Sequence, residues 1–223
     1  PPTNPPTNTI PNEAEEEKPV EQPTKKEEPP NFIPTNSEMT APNVAGTAGT
    51  FTVVGDIDET PATATNMCGD NPSLAIFVGD FAYHNDAQKW WTGLMKACNG
   101  KNAIGSLGNH DNGGKGFIDL WPLNGGKWEF IKKLGNVAII AVNTGACSDA
   151  SCNNPSTVEP LLAQAQEDPS VKFIVCHHHK TIFTTGVTPD AVPAYHTMYK
   201  KYPKIKMVFG GHNHYYARYK ILD

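Results

Sequence analysis

The chain has 223 residues, a formal net charge of −5, 38% hydrophobic and 18% charged residues, a size that suits one domain with or without an appendage. It contains no run of about 18 uncharged apolar residues, which excludes a membrane-spanning helix within it. Its charge balance is not basic, which argues against a nucleic-acid surface.

Residues 1–50 hold 11 of the 20 prolines, eight Glu, three Lys and one aromatic, Phe32. The remaining 173 residues carry 15 acidic and 15 basic side chains, so the acidity belongs to the leading stretch. With its PPTN repeat and its mix of Pro, Glu and Lys, that stretch cannot bury enough apolar surface to offset chain ordering, and a disordered tail is expected. Pro-rich chain favours extended polyproline II, so the expected role is a semi-rigid spacer tethering the folded part, residues 51–223, to a surface or another domain. The chain opens on Pro1 rather than Met, as expected for a processed or excised piece.

From residue 51 onward, short apolar runs alternate with helical stretches, and nearly every run ends in a polar cluster. FTVV (51–54) precedes GDID, LAIFV (74–78) precedes GDFAYHND, and AIGSL (103–107) precedes GNHDNG. VAIIAV (137–142) precedes NTG, KFIVC (172–176) precedes HHHK, and IKMVF (205–209) precedes GGHNHYY. Runs of this length, rich in Val, Ile and Phe, read as buried strands. DAQKWWTGLMKAC (86–98) has the apolar spacing of an amphipathic helix, and STVEPLLAQAQED (156–168) opens with a Ser156/Glu159 capping box. Strands alternating with helices predict an α/β layered sheet, whose ligands bind beyond the carboxyl ends of the strands.

The five cysteines show no C-x-x-C pair and no zinc-finger spacing. Cys147 and Cys152 flank a short polar loop whose size suits a local disulfide, and Cys176 in FIVC reads as a buried small hydrophobe. A local disulfide beside a spacer tail favours an oxidising, extracytoplasmic setting, secreted or on a cell surface.

Any one of the polar clusters has a structural explanation, since Asp favours strand-to-turn junctions by bonding nearby backbone N–H groups. Five clusters of Asp, Asn and His, each at a strand end, point instead to one converged site. Carboxylates, an amide oxygen and imidazoles without thiolates suit Fe, Mn or Zn. Two such ions held about 3.5–4 Å apart by a shared carboxylate form a clamp for in-line displacement at phosphorus.

The ordered blocks GDID, GDFAY, GNHD, the His run after KFIVC, and GHNH resemble the signature of the calcineurin-like metallophosphoesterases. Gly79-Asp80-Phe81-Ala82-Tyr83 is similar to the G-D-x-x-Y form of the purple acid phosphatase branch, as is Gly211-His212-Asn213-His214 followed by aromatics and Arg218. The resemblance runs from about residue 51 to the end. It implies a four-layer αββα sandwich of two mixed sheets, with two metal ions between loops at one edge, iron paired with iron, zinc or manganese. It further implies that Asp56, Tyr83 and His214 bind one ion, that Asp80 bridges both, and that Asn109, a histidine of the 177–179 run and His212 hold the second. His110 would orient phosphate and protonate the leaving group, with Asp111 fixing it. A Tyr83 ligand would favour a ferric ion and give a visible charge-transfer band.

Which histidine of the run serves stays open. Counting V-x-x-H from Val175 selects His178, whereas the gap-free H-x-P continuation laid on His179-Lys180-Thr181 selects His179, which is preferred. Three consecutive His on a continuing strand cannot all point one way, because side chains alternate faces. Asp58 stands where relatives have His or Gly, and three roles remain for it: an extra ligand, a hydrogen-bond partner or a turn residue. Thr181 replaces the usual Pro, and the chain stops soon after the last block, which suggests a truncated piece.

Other candidates read as structural or peripheral. His84 is a rim residue and His196 a partly buried helix residue. Trp90, Trp91, Trp121 and Trp128 are core, with Trp121 also placed to wall a pocket, and Tyr215 and Tyr216 either stack on a substrate ring or pack. The resulting expectation is hydrolysis of small phosphomonoesters by metal-bound hydroxide. Alternatives are a phosphodiesterase or nuclease on the same scaffold, or a catalytically silent metal- or phosphate-binding module.

Overall fold

The computed structural model describes residues 49–58, 61–69, 71–83, 92, 103–111, 116–117, 127–145, 154–184 and 192–219, all within one compact unit, Ile33–Asp223. The leading stretch, the 86–98 helix apart from Thr92, the Cys147–Cys152 loop, His84, Trp90, Trp91 and Trp121 lie outside the described residues. No helix among the described residues is long and apolar enough to cross a membrane.

All six apolar runs form strands. Phe51–Val54 (β1), Leu74–Phe77 (β2) and Ala103–Gly105 (β3) make a parallel sheet in the order β1-β2-β3. A second sheet has the order β4-β5-β6-β7: Phe130–Leu134 (β4) runs antiparallel to Val137–Ala141 (β5), which is parallel to Phe173–His177 (β6) and through it to Ile205–Phe209 (β7). Strand β4 was not expected from sequence, because FIKKL places two lysines in succession where a buried run is sought. It is recruited by the Gly135-Asn136 turn, where Gly135 supplies φ 57 at the first central position of a two-residue hairpin.

Period-two alternation sorts these side chains into three apolar layers. Leu74, Ile76 and Ile104 meet Phe130, Leu134, Ile139, Ala141 and Val175 between the two sheets. Ala75, Phe77 and Ala103 face outward onto Ala64 and Met67 of Pro61–Gly69 (α1) and onto Phe81, Leu107 and Phe117. Ala138, Ile140, Ile174 and Cys176 face the other way onto Leu161, Leu162 and Ala165 of Glu159–Glu167 (α2) and onto Tyr195, Met198 and Tyr199 of Ala194–Tyr199 (α3). Helix, sheet, sheet, helix is the expected four-layer order.

Local chemistry sets the helix ends. The Ser156/Glu159 capping box does not form: Pro155–Thr157 makes a separate 3-10 turn capped by Asn154, whose Oδ1 accepts the Ser156 N–H, and α2 starts after it with no side-chain cap. Glu159 instead accepts from Lys201 Nζ at 2.8 Å. Pro169 disfavours a helical Asp168, which is extended at ψ 116 and ends α2. Helix α1, PATATNMCG, was missed because two threonines and an asparagine propose no helix on propensity; Ala64 and Met67, both buried, hold it in place. Cys176 is buried and free, as expected. Cys68 is disulfide-bonded, which was not expected, and its partner lies outside the described residues.

Candidate metal centre

The carboxyl ends of β1, β2, β3, β5, β6 and β7 lead into the loops that carry the polar clusters. Asp56 and Asp58 follow β1, Asp80 and Tyr83 follow β2, and Asn109, His110 and Asp111 follow β3. Thr144 follows β5, His179 follows β6, and His212 and His214 follow β7. Five of the six non-glycine residues with positive φ among the described residues are here: Asp56 at 55, Asp58 at 48, Asp80 at 52, His212 at 75 and His214 at 50. Left-handed backbone costs about 1–3 kcal/mol per residue and persists where the surroundings over-determine it, a pattern concentrated at functional sites.

Backbone amides and carboxylates knit the loops together. Asp56 accepts the His212 N–H with both oxygens, at 3.0 and 2.8 Å. Asp80 Oδ1 accepts the His110 N–H at 2.9 Å. Asp111, fully buried, accepts from the amides of Gly108 at 2.7 Å, Asp80 at 3.0 Å and Phe81 at 2.7 Å. Its carboxylate thus closes the turn bearing Asn109 and His110 and ties it to the β2 loop. Burial pushes the Asp111 carboxyl up to about 7, against the pull of the Gly108 and Phe81 amides. Gly108 is required by this closeness, since a Cβ there would run into the Asp80 backbone and carboxylate.

The three histidines separate as alternation demands. His177, the last residue of β6, points between the sheets, 3.2 Å from Ser106 Oγ and edge-on to Phe130. His178 turns to the helix side, between Tyr195 and Tyr199, with ring centroids 6.2 and 6.3 Å away. Burial pushes their imidazoles down, to about 3 and about 4. His179 returns to the inner side, with Nδ1 2.8 Å from the Val78 carbonyl and Nε2 3.0 Å from Asn109 Oδ1 and 3.3 Å from Asp80 Oδ1. A carbonyl only accepts, so Nδ1 carries the proton and Nε2 is turned toward Asn109 and Asp80. Burial lowers the His179 imidazole, but bonding and charge from Asp80 outweigh it and raise it overall.

Two sets of donor atoms result. Asp80, His179 and His212 offer atoms within 4.8 Å of one another, and so do Asp56, Asp80 and His214. Asp80 belongs to both. Asn109 adjoins the first set through His179, and Tyr83 adjoins the second, its hydroxyl 2.7 Å from His214 Nε2. Burial, then the charges of Asp80 and Asp56, push the Tyr83 phenol well above its usual range. Burial raises Asp56 despite His179 and the His212 amide; it would raise Asp80 too, but His179 and the His110 amide hold that carboxyl down. Oxygen and nitrogen donors in two sets sharing one carboxylate, with one imidazole fixed by an outer carbonyl, fit a pair of borderline-hard metal ions.

The remaining candidates fall around this centre. The exposed His110 imidazole lies over the Tyr83 ring, centroids 4.6 Å apart, and none of Asp111's hydrogen bonds reaches that imidazole. Asp58 is in neither donor set and accepts the Tyr83 N–H. Thr181 Oγ1 accepts from Asn213 Nδ2 at 3.1 Å, bracing the GHNH loop. His196 is half-buried against Phe183, Trp128 packs on Phe81, and Tyr215 and Tyr216 are exposed, Tyr216 by 90%. One positioning residue escaped the sequence reading: Thr144, fully buried, whose Oγ1 accepts the amides of both His179 and Lys180. Its only sequence signal is the NTG following β5.

A family model described as calcineurin-like phosphoesterase matches residues 49–216. No curated protein sequence matches the chain. Among solved structures, the chain is similar to a purple acid phosphatase, PPD1, from yellow lupin (Lupinus luteus) seeds, at a TM-score of 0.57 and 13% identity. The match covers 76% of this chain and 38% of that one, so the chain spans well under half of that phosphatase.

Proposed function

The chain belongs to the calcineurin-like phosphoesterases, and on that footing we propose that it hydrolyses phosphomonoesters at a dinuclear metal centre. Asp56, Tyr83 and His214 would hold one ion, Asn109, His179 and His212 the other, and Asp80 both. The observation that carries this reading is Asp80's membership of both donor sets. Bound ions would supply Lewis acidity, activating a water and neutralising charge on phosphate oxygens.

The chain's own groups supply the rest. Asp56 and Asp80 are pinned by backbone N–H groups, so their oxygens are held before any ion arrives. His110 is exposed beside Tyr83 and outside both donor sets, which suits it to orient the phosphate and give a proton to the departing alkoxide oxygen. Water thus adds to phosphorus as the ester P–O bond breaks, and alcohol and phosphate leave. The Tyr83 phenol, which does not ionise unaided near neutrality, favours iron(III) on its side and iron, zinc or manganese on the other. The disulfide at Cys68 supports an oxidising, extracytoplasmic setting.

The test is elemental analysis of protein purified without chelators or a polyhistidine tag, with hydrolysis of an aryl phosphate and an aryl phosphodiester from about pH 4 to 9. Two metals per chain with monoester turnover are expected, and a visible charge-transfer band if iron sits on Tyr83. Faster diester turnover would shift the reading to a phosphodiesterase. Two metals with no turnover would reduce the chain to a binding module.

A further inference from the structure

Asp58 has no place in the two donor sets, yet it is not an idle turn residue. Its Oδ1 accepts the backbone N–H of Tyr83 at 3.0 Å, across 25 residues of chain, and it does so from left-handed backbone at φ 48. The segment it holds is short. Asp111 fixes the amides of Asp80 and Phe81, but its reach ends there, and the next amide bonded by a carboxylate is that of Tyr83. The stretch from Asp80 to Tyr83 is therefore clamped at one end from the β3 loop and at the other from the β1 loop.

We propose that Asp58 is a positioning residue for Tyr83: by gripping that amide it sets where the phenol oxygen stands, 2.7 Å from His214 Nε2 and on the side of the site occupied by Asp56. The proposal rests on reading Tyr83 as a metal ligand. A tyrosine reaches the site on a long lever, so a small shift of its backbone becomes a large one at the oxygen, and the residue holding that backbone decides whether the ligand is delivered. Outer partners of this kind are worth about 10- to 100-fold in metal affinity. The carboxylate also adds negative charge beside the Tyr83 hydroxyl, and the two contributions separate by substitution. Asp58→Asn keeps an oxygen acceptor and drops the charge; Asp58→Gly drops both and tolerates the left-handed backbone, so no strain confuses the comparison.

The experiment compares full-length wild type, Asp58→Asn and Asp58→Gly by amide hydrogen exchange in chelator-treated protein and by titration with iron and zinc. In Asp58→Gly the Tyr83 amide should exchange at least about tenfold faster, with amides bonded to Asp111 unchanged. The ion on the Tyr83 side should bind about 10- to 100-fold more weakly, with the other ion little affected. Asp58→Asn should retain most of both properties. Unchanged Tyr83 exchange in Asp58→Gly, or equal weakening at both ions, overturns the proposal. An Asn variant as defective as the Gly variant overturns positioning in favour of charge or direct ligation. Wild type that takes up no ion sinks the dinuclear reading instead, and the Tyr83 exchange still decides whether Asp58 holds that loop.

Discussion

Among the described residues Asp80 alone is shared by the two donor sets, which makes it the most exacting residue of the site. Asp80→Asn keeps size and one oxygen but removes charge. The expected outcome is loss of metal by elemental analysis and a fall in turnover beyond the about 10- to 100-fold that losing an outer partner costs. His110 stands outside both sets, so His110→Ala should keep its metal and lose about 100- to 10,000-fold in rate; metal loss in that variant would refute its assignment as a proton donor. These residues were visible in the sequence because each ends an apolar run with a donor atom. Of the groups that aim them, Val78, 101 residues from His179, and Thr144, 35 from it, were not, and Asp58 was singled out with three roles open but not its partner Tyr83, 25 residues away. A contact between loops leaves no local pattern for periodicity to detect.

Among the elements, the hairpin and the end of α2 offer separable tests. Gly135 holds φ 57 with open space where a Cβ would sit, so Gly135→Ala carries a conformational cost without a clash. A loss of about 1 kcal/mol in denaturant unfolding is expected, and no loss would mean the turn relaxes. At the end of α2, Asp168 accepts from Ser170 N–H and Oγ and from Lys133 Nζ at 3.0 Å, joining the helix to β4. The Ser170 bonds, opposed by slight burial and helped by Lys133, hold its carboxyl at about 2. A depressed folded pKa stabilises above the unfolded value near 4 and loses that contribution as pH falls toward 2. Asp168→Asn should therefore be less stable than wild type by about 1 kcal/mol at neutral pH, allowing for solvent screening, with the gap closing at about pH 2. The six strands were legible because their apolar runs are short, β-branched and bounded by turn residues. FIKKL and PATATNMCG were not, because pairing across a hairpin and packing on a sheet decided them against their own propensities.

For the molecule as a whole, the four layers set a cost that only shows in acid. His177 and His178 are buried neutral, with pKa values of about 3 and about 4 against about 6.5 in the unfolded chain. Between those limits the unfolded chain binds more protons than the fold, so each contributes stability that is lost as pH drops. His178→Leu removes one such group, and its stability relative to wild type should rise by up to about 3 kcal/mol from pH 6.5 to 4. Parallel thermal-melt curves for the two proteins would contradict the buried neutral state. The alternation that seats these rings in separate layers was legible from three consecutive histidines; the strand's extension to His177, which decides the layer each one enters, required the β5 and β7 partners. The left-handed backbone of Asp56, Asp80, His212 and His214 has a consequence of another kind. Ions that bind only the folded chain add stability by mass action, about 4 kcal/mol at a thousandfold excess over Kd, and that increment falls on the loops with most conformational energy to release. Limited proteolysis with and without chelator should cut these loops sooner when ions are withdrawn, an outcome that would tie the lifetime of this protein to the free metal around it.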